Sequence, residues 1–497
     1  MKKTSILILG FALSGLTIAA ATDNGFRSAL GPRFHGASAV TPVIAPSRAL
    51  DTLHRWNQIA INASGLDHTP VAPGENRVFG EQLGPGRSSR AMAIAHIAMF
   101  DALDAIEGSY RSYTGVRKGP GPISQDAAVA QAAHDTLASL FPSQTAAFDT
   151  LLQEDLAAIR DAREKANGVD LGHRAAAAIL AMRVNDGAQI PEPRVGVDYF
   201  TSDQPGHWRQ DPISLIPLAL GAYWGQCTPF VLASTSQFRA PSPPDMTSAA
   251  YTIAYNEAKS FGGDGVTTPT HRTEEQTFIG TFWAYDGTPS LCAPPRLYNQ
   301  ITVNIADQRG LNGIRFARLL ALVNVAMADA GMTIWESKYH FDFWRPITGI
   351  RESDPGTGPT GLGDGNPDTV GDTTFSPLGA PASNLTGPNF TPPFPAYPSG
   401  HAGLGGALFQ IMRRFYGTDA ISFTFVSDEF NGTTRDNAGN LRPYRPRSFS
   451  TLSQAEEENG QSRIYLGIHW AFDKTAGIAQ GRQAANYVFE HAFTPLH

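Results

Sequence analysis

Apolar side chains recur at intervals of three and four residues along much of this chain, and that spacing constrains the fold more than any other feature. The spacing occurs over residues 88–185, 248–261, 311–344, 402–416 and 472–492. Each stretch can bury one face of an amphipathic helix. Alternating runs of β-branched residues, which would indicate strands, are sparse apart from residues 421–426. The pattern predicts an all-α protein built from helical bundles.

The length of the chain indicates more than one helical unit. Its 497 residues exceed what one ordinary hydrophobic core supports. Residues 188–245 are rich in proline and turn residues, which is typical of a connecting region. We therefore predict an N-terminal helical bundle with its connection over residues 22–245, and a C-terminal helical bundle over residues 246–497.

A long loop is predicted over residues 354–392, which contain eight Gly, seven Pro and no Lys or Arg. Asp364, Asn366 and Asp368 in this loop have a spacing that could hold a calcium ion, although a plain turn explains them better. Elsewhere, Cys227 and Cys292 are the only two cysteines. They could form a disulfide in an oxidising compartment, but the sequence does not show that they meet.

The first 21 residues have the features of an export signal. Lys2 and Lys3 precede an apolar run over residues 6–20, and Ala19 and Ala21 form an A-x-A cleavage pattern. An uncleaved anchor is the alternative, but the run is short and interrupted by glycine and serine. No later uncharged segment approaches the length of a membrane span, so we predict a secreted or periplasmic protein without a membrane span after cleavage. The net charge of −7 gives no support to a nucleic-acid partner.

Two cations fall on a helix face that periodicity predicts to be buried. The apolar stripe consists of Phe316, Leu320, Val323, Met327, Ala330 and Ile334. The same steps continue to Lys338 and Arg345, so we expect one helix to carry both, ended or bent by Pro346. Buried cations need carboxylate partners or an anion. Snorkelling, or salt bridges to Glu336 or Asp342, would be the structural explanation.

Two later segments can add to an anion site. Ser399 follows prolines and can cap the next helix, whose free N–H groups near Gly400 and His401 attract negative charge. The alternative is a common serine cap with an incidental histidine beside it. Arg463 precedes His469 by six residues, and Asp473 lies one turn beyond His469, where it can orient the imidazole if His469 begins a helix. A surface pair of His469 and Asp473 is the alternative.

Together the three segments supply two arginines, a lysine, a hydroxyl, backbone amides and two histidines. This set can surround a tetrahedral oxyanion and leave one axial position for a nitrogen ligand.

The three segments resemble the signature shared by vanadium-dependent haloperoxidases and type 2 phosphatidic acid phosphatases. The matching motifs are K-x6-R-P at residues 338–346, PSGH at residues 398–401 and SR-x5-H-x3-D at residues 462–473. Further stretches resemble the chloroperoxidase branch: WAYDG at residues 283–287, PPRLYN at residues 294–299, FWRP at residues 343–346 and PFPAY at residues 393–397. The resemblance covers residues 270–480 in detail. It implies two four-helix-bundle units with long loops and a vanadate site at one end of the second bundle.

The resemblance also implies a role for each matched residue. The vanadate oxygens would be bound by Lys338, Arg345, Arg463, the Ser399 hydroxyl and the Gly400 amide. His469 would be the axial vanadium ligand, oriented by Asp473, and His401 the acid–base group. Asp286 would pair with Arg463. Trp335 and Phe394 would lie beside the halide, and Phe394 favours the chloroperoxidase branch, because algal bromoperoxidases carry a histidine at that position.

The expected activity is that of a vanadium-dependent haloperoxidase. Hydrogen peroxide would oxidise chloride, bromide or both to hypohalous acid, with His401 removing a proton from peroxide and Lys338 polarising its oxygen; a small organic acceptor could follow. The alternative is a secreted acid phosphatase in which His469 attacks phosphorus. A third possibility is a protein that binds phosphate without turning it over.

Overall fold

The computed structural model describes residues 51–496, and within them it contains thirteen α-helices and one two-stranded sheet. The predicted signal peptide lies outside the described residues. The first five helices are α1 (Thr52–Asp67), α2 (Gly84–Glu107), α3 (Gln125–Leu140), α4 (Thr145–Ala158) and α5 (Ala162–Arg183). The next five are α6 (Ala249–Gly262), α7 (Glu274–Phe282), α8 (Pro294–Gln308), α9 (Gly313–Phe341) and α10 (Pro346–Arg351). The last three are α11 (Gly400–Tyr416), α12 (Leu452–Tyr465) and α13 (Ala471–His491).

The predicted all-α fold is confirmed. The sparse strand signal at residues 421–426 corresponds to β1 (Phe423–Phe425), which pairs antiparallel with β2 (Arg447–Phe449). Residues 188–245 form the expected connection, with a single 3-10 turn at Trp224–Gln226.

Helix α9 is the central element of the fold because it is buried on nearly every side. It packs against α2 of the predicted N-terminal bundle and against α11 and α13 of the predicted C-terminal bundle. Among the described helices it alone is long and apolar enough to cross a membrane, and its most apolar window is wholly buried inside the protein, as expected of a core helix. The division of the chain at residue 245 stays a prediction, since α9 contacts both halves.

Glycines bring α11 and α13 into unusually close contact. A β-carbon at Gly481 would lie 1.9 Å from the carbonyl oxygen of Gly403, and one at Gly477 would lie 2.5 Å from that of Ser399. Only glycine permits such an approach of two backbones. The contact fixes the start of α11, and with it Ser399, against the start of α13.

The prediction that one helix carries both Lys338 and Arg345 is wrong. Helix α9 ends at Phe341, because Asp342 adopts a left-handed conformation with φ of 51°. Arg345 is extended and precedes α10, in which Pro346 takes the first position. Pro346 therefore begins a helix and does not end one.

Residues 354–392 contain no helix or strand, as predicted. Asp364 accepts hydrogen bonds from the Asn366 amide and the Thr369 hydroxyl, and the Asn366 side chain accepts from the amide of Asp368. These contacts are those of consecutive Asx turns, which supports the plain-turn interpretation over a calcium site. Both cysteines are buried and free, so no disulfide joins Cys227 to Cys292.

Candidate active site

The three segments predicted to bind an anion meet in one buried pocket. Lys338 lies in the last turn of α9 and Arg463 in the last turn of α12. Arg345 stands just before α10, Ser399 caps α11, and His469 lies between α12 and α13. The predicted site residues that line this pocket are Asp286, Trp335, Phe394, Gly400, His401, Arg463 and His469. The other four, Lys338, Arg345, Ser399 and Asp473, contact or adjoin these lining residues. The cavity has a volume of about 70 Å³.

Two buried cations of the pocket, Lys338 and Arg345, are held by backbone carbonyls and not by carboxylates. Lys338 Nζ donates to the carbonyl oxygens of Pro395 and Ala396 at 2.8 and 2.9 Å. Arg345 Nε donates to the carbonyl of Phe394 at 2.9 Å. Burial, and next the charge of Arg345, lower the pKa of Lys338 well below its usual value. Burial lowers the pKa of Arg345 to about 9.

Salt bridges to Glu336 or Asp342 do not explain these two cations. Glu336 pairs with Arg239, and Asp342 pairs with His207. The uncompensated positive charge in the pocket therefore favours a bound anion.

Several guanidinium nitrogens in the pocket are buried without a protein partner. They are Arg345 Nη2, Arg463 Nε and Arg463 Nη1. A buried donor without an acceptor is destabilising by about 1–3 kcal/mol. An oxyanion would supply acceptors to all three atoms, and this fits the predicted vanadate ligand set.

His469 presents an unprotonated nitrogen to the pocket. Its Nδ1 lies 2.8 Å from Asp473 Oδ2, and Arg345 Nη1 donates to its Nε2 at 2.9 Å. Because the carboxylate can only accept, the proton belongs on Nδ1 and the lone pair on Nε2. Burial, and next the charge of Arg345, lower the pKa of His469 well below its usual value, so the ring is neutral. Nε2 thus carries the lone pair through which His469 would bind vanadium, and in this structure that lone pair accepts from Arg345.

The pair of His469 and Asp473 is buried and not on the surface, and His469 does not begin a helix. It precedes Trp470, the N-cap of α13, so Asp473 occupies the first turn and also accepts from the Trp470 amide at 3.0 Å. Burial raises the pKa of Asp473 to about 7.

The start of α11 brings a hydroxyl, an amide and a second imidazole together. Ser399 Oγ accepts from the Ala402 amide at 3.4 Å, and Gly400 is the first helical residue. His401 Nε2 lies 2.5 Å from the carbonyl of Ala284, so Nε2 carries the proton and Nδ1 is basic. Burial, and next the charge of Arg463, lower the pKa of His401 well below its usual value.

Asp286 supports the opposite wall of the pocket. Arg463 Nη2 donates to Asp286 Oδ1 at 2.6 Å, which is the predicted pairing. The same oxygen lies 3.9 Å from His401 Nε2. Burial raises the pKa of Asp286 despite the neighbouring guanidinium. One carboxylate thus contacts both a proposed anion-binding group and the proposed acid–base group.

Two aromatic rings form the apolar side of the pocket. The rings of Trp335 and Phe394 lie 4.9 Å apart between centroids. Lys338 Nζ lies 5.0 Å from the Phe394 centroid, and the Arg345 guanidinium carbon lies 4.9 Å from it. The ring faces therefore stabilise both cations and exclude water from them.

Part of the pocket wall is formed by residues that the sequence does not single out. His68, at the end of α1, and residues 83–85 line the pocket from the N-terminal half of the chain. His68 Nε2 accepts from the Gly84 amide at 2.9 Å, and Cys292 lies beside the same imidazole. No sequence spacing links His68 to residues more than 200 positions away, so only tertiary structure reveals it.

Comparisons with known proteins identify relatives of this chain. Residues 318–497 match the sequence model of the VCPO second helical-bundle domain. The vanadium chloroperoxidase of Curvularia inaequalis is 32% identical over an alignment that covers 85% of this chain and 78% of that protein.

Solved structures show the same fold. The first bacterial vanadium-dependent iodoperoxidase superposes with a TM-score of 0.68 at 22% identity, covering 91% of this chain and 99% of that one. A holo-type bacterial vanadium-dependent chloroperoxidase gives a TM-score of 0.57 at 18% identity, covering 86% and 94% of the two chains. With the curated relative, these matches establish that the chain belongs to the vanadium-dependent haloperoxidase family, whose cofactor is vanadate.

Proposed function

We propose that this haloperoxidase oxidises chloride, bromide or both with hydrogen peroxide to hypohalous acid. The proposal depends on one observation. The buried pocket holds three basic side chains and two neutral imidazoles, and the rings of Trp335 and Phe394 form one of its sides. The cations suit an oxyanion cofactor, and the aromatic wall suits a partly dehydrated halide.

Some residues of the pocket would bind the oxyanion, and others hold those binding residues in place. We assign the vanadate oxygens to Lys338, Arg345, Arg463, the Ser399 hydroxyl and the Gly400 amide. Bound vanadate supplies a Lewis-acidic centre that activates hydrogen peroxide. The backbone carbonyls around Lys338 and Arg345 fix these cations before the anion arrives, so little reorganisation accompanies its binding.

His469 and Asp473 act as one unit in this assignment. Asp473 holds the proton of the imidazole on Nδ1 and thereby leaves the lone pair on Nε2, the atom through which His469 would bind vanadium. The short connection between α12 and α13 and the bond from the Trp470 amide hold the carboxylate in place.

His401 is assigned as the acid–base group. Its Nε2 is committed to the Ala284 carbonyl, so proton transfer takes place at Nδ1. Burial, and next the charge of Arg463, lower the pKa of His401, which keeps Nδ1 unprotonated and able to accept a proton from peroxide. Lys338 lies beside the Phe394 ring and would polarise an oxygen of bound peroxide.

A comparison of two reactions tests the proposal against the phosphatase alternative. Apoprotein reconstituted with vanadate is given peroxide and either bromide or chloride, and halogenation of a phenol-type indicator is followed. The unloaded protein is assayed with p-nitrophenyl phosphate. We expect halogenation with at least one of the two halides. Brisk phosphate hydrolysis without any halogenation would contradict the proposal, and tight phosphate binding without either reaction would indicate a binding protein.

The cellular location is a separate proposal that depends on residues 1–21. Lys2, Lys3 and the apolar run after them support export to the periplasm or the medium, where hypohalous acid would form away from cytoplasmic thiols. Amino-terminal sequencing of the protein from the exported fraction should begin near Thr22, and an intact Met1 in that fraction would contradict cleavage.

A further inference from the structure

The short segment of residues 284–286 serves two groups of the pocket at once. The Ala284 carbonyl accepts from His401, and the Asp286 carboxylate accepts from Arg463. Between them, Tyr285 adopts a left-handed conformation with φ of 45°. Such a conformation is strained for a residue with a β-carbon and persists only where the surroundings enforce it.

A turn from a distant part of the chain, residues 427–430, forms hydrogen bonds with this segment and with the residues just before it. Ser427 Oγ donates to the carbonyl of Phe282 at 2.6 Å, and the Asp428 amide donates to the hydroxyl of Tyr285 at 2.6 Å. The Tyr285 hydroxyl in turn donates to Gln300 Oε1 at 2.9 Å. The turn therefore contacts the chain at Phe282, just before the segment, and at Tyr285, the strained residue of the segment.

The next residue of the turn, Glu429, belongs to a buried cluster that the proposed reaction does not use. Its Oε2 accepts from Ser383 Oγ at 2.5 Å and from Arg442 Nη1, and Arg442 Nη1 also reaches Ser383 Oγ at 2.9 Å. The Glu429 side chain is wholly buried. The Glu429 carboxyl lies close enough to interact with the backbone amide of Tyr285 and with the charge of Asp286. We call Ser383, Glu429 and Arg442 the Glu429 cluster.

A buried ion pair of this kind is a poor source of stability, because desolvation offsets most of the attraction. Its benefit is geometric. The cluster ties three loops to one another: the long loop of residues 354–392 through Ser383, the 427–430 turn through Glu429, and the segment before β2 through Arg442.

We propose that the Glu429 cluster is a positioning element of the active site. It holds the 427–430 turn against residues 282–286 and so fixes the Ala284 carbonyl and the Asp286 carboxylate that orient His401 and Arg463. The proposal rests on the roles proposed above for those two residues. Glu429 touches neither cofactor nor substrate, and it acts through Tyr285.

Glu429→Gln tests the proposal because it keeps the volume and the contact with Ser383 while removing the charge that holds Arg442. We expect vanadate to bind about 10- to 100-fold more weakly, the range found when the partner that orients a ligand is lost. We also expect faster amide hydrogen exchange in a peptide covering residues 282–287 of the apoprotein, relative to peptides from α3 and α5. Calorimetric titration with vanadate and exchange mass spectrometry measure these effects. The exchange measurement needs no turnover, so it separates failure of this proposal from failure of the proposed function.

Asp186→Asn is the matched control. Asp186 is buried and accepts from Arg90 Nε at 2.7 Å and Arg183 Nε at 2.8 Å, and it contacts none of residues 282–286. We expect it to lower thermal stability while vanadate affinity stays within about twofold of the wild type, as for a site without shared partners.

The proposal is wrong if Glu429→Gln behaves like the control, with lower stability but unchanged vanadate affinity and unchanged exchange at residues 282–287. Should Glu429→Gln fail to fold, Ser383→Ala removes one contact of the same carboxylate. That variant should show smaller changes in the same direction, and their absence would equally overturn the proposal.

Discussion

Arg463→Lys tests whether the unpartnered guanidinium nitrogens bind the cofactor. Arg463 uses Nη2 for Asp286, while its Nε and Nη1 are buried without a protein partner. Each hydrogen bond from a charged donor contributes about 1.5–3 kcal/mol. A lysine keeps the positive charge and can replace one of the two bonds, but it cannot reproduce the planar fork. The net loss of about 1.5–3 kcal/mol corresponds to vanadate binding that is about 10- to 150-fold weaker.

Calorimetric titration of the apoprotein with vanadate measures this loss directly. Arg413→Lys is the matched control, because Arg413 pairs with Asp419 and Glu456 near the far end of α11, 13 residues from Gly400 and about 20 Å along the helix. We expect the control to bind vanadate within about twofold of the wild type. If Arg463→Lys also bound within twofold, the unpartnered nitrogens would not be cofactor donors.

The stability of the unloaded protein gives an independent check of the same reasoning. Two unsatisfied buried donors cost about 1–3 kcal/mol each in the apoprotein, and Arg463→Lys removes that arrangement while keeping a cation beside Asp286. The variant apoprotein should therefore unfold at the same or a higher denaturant concentration than the wild type, although it binds vanadate more weakly. A clear loss of apoprotein stability would show that the guanidinium has a structural role instead.

Three further results are expected. His401→Gln retains a donor for the Ala284 carbonyl but lacks a basic nitrogen, so steady-state halogenation should fall about 10²- to 10⁴-fold while the calorimetric vanadate affinity changes less than tenfold; equal losses in both would contradict the acid–base role. Because burial, and next the charge of Arg463, lower the pKa of His401 below its usual 6.5, the unfolded apoprotein takes up a proton below pH 6.5 that the folded one does not. Below pH 6.5 the free energy of unfolding of the wild type, measured with urea, should therefore fall relative to that of His401→Gln by up to about 1.4 kcal/mol per pH unit. A difference between the two proteins that does not change with pH would contradict the lowered pKa. Phe394→His replaces an apolar ring of the pocket wall with a ring that holds water. Because chloride is harder to oxidise than bromide, the ratio of kcat/KM for bromide to that for chloride should rise. An unchanged ratio would show that Phe394 is not part of the halide site.

Two of the anion-binding residues, Ser399 and Lys338, were predictable because each has a strong local cause. Proline before Ser399 stops the chain and the hydroxyl caps the next helix, so the position of the α11 terminus follows from adjacent residues. Lys338 could be assigned to a buried face because the apolar stripe of α9 reaches it without interruption. The matched motifs then linked segments that periodicity alone could not connect.

Elements that depend on distant contacts could not be predicted in the same way. The left-handed Asp342 ends α9 one turn before Arg345, and its partner His207 lies 135 residues earlier. Helix α12, which carries Arg463, is polar and lacks a clear apolar stripe, so periodicity did not identify it. His68 and the Glu429 cluster reach the site only through tertiary packing, and no spacing in the sequence signals them.

Stoichiometric reconstitution tests the central claim most directly. Vanadate is added in steps to the metal-free protein at a concentration well above the dissociation constant, and peroxide-dependent halide oxidation is measured after each addition. Oxidation should rise linearly and stop rising at one vanadate per chain, and His469→Ala should abolish that rise. Halide oxidation that does not depend on vanadate, or a rise that His469→Ala leaves intact, would contradict the claim that these three segments form a single cofactor site.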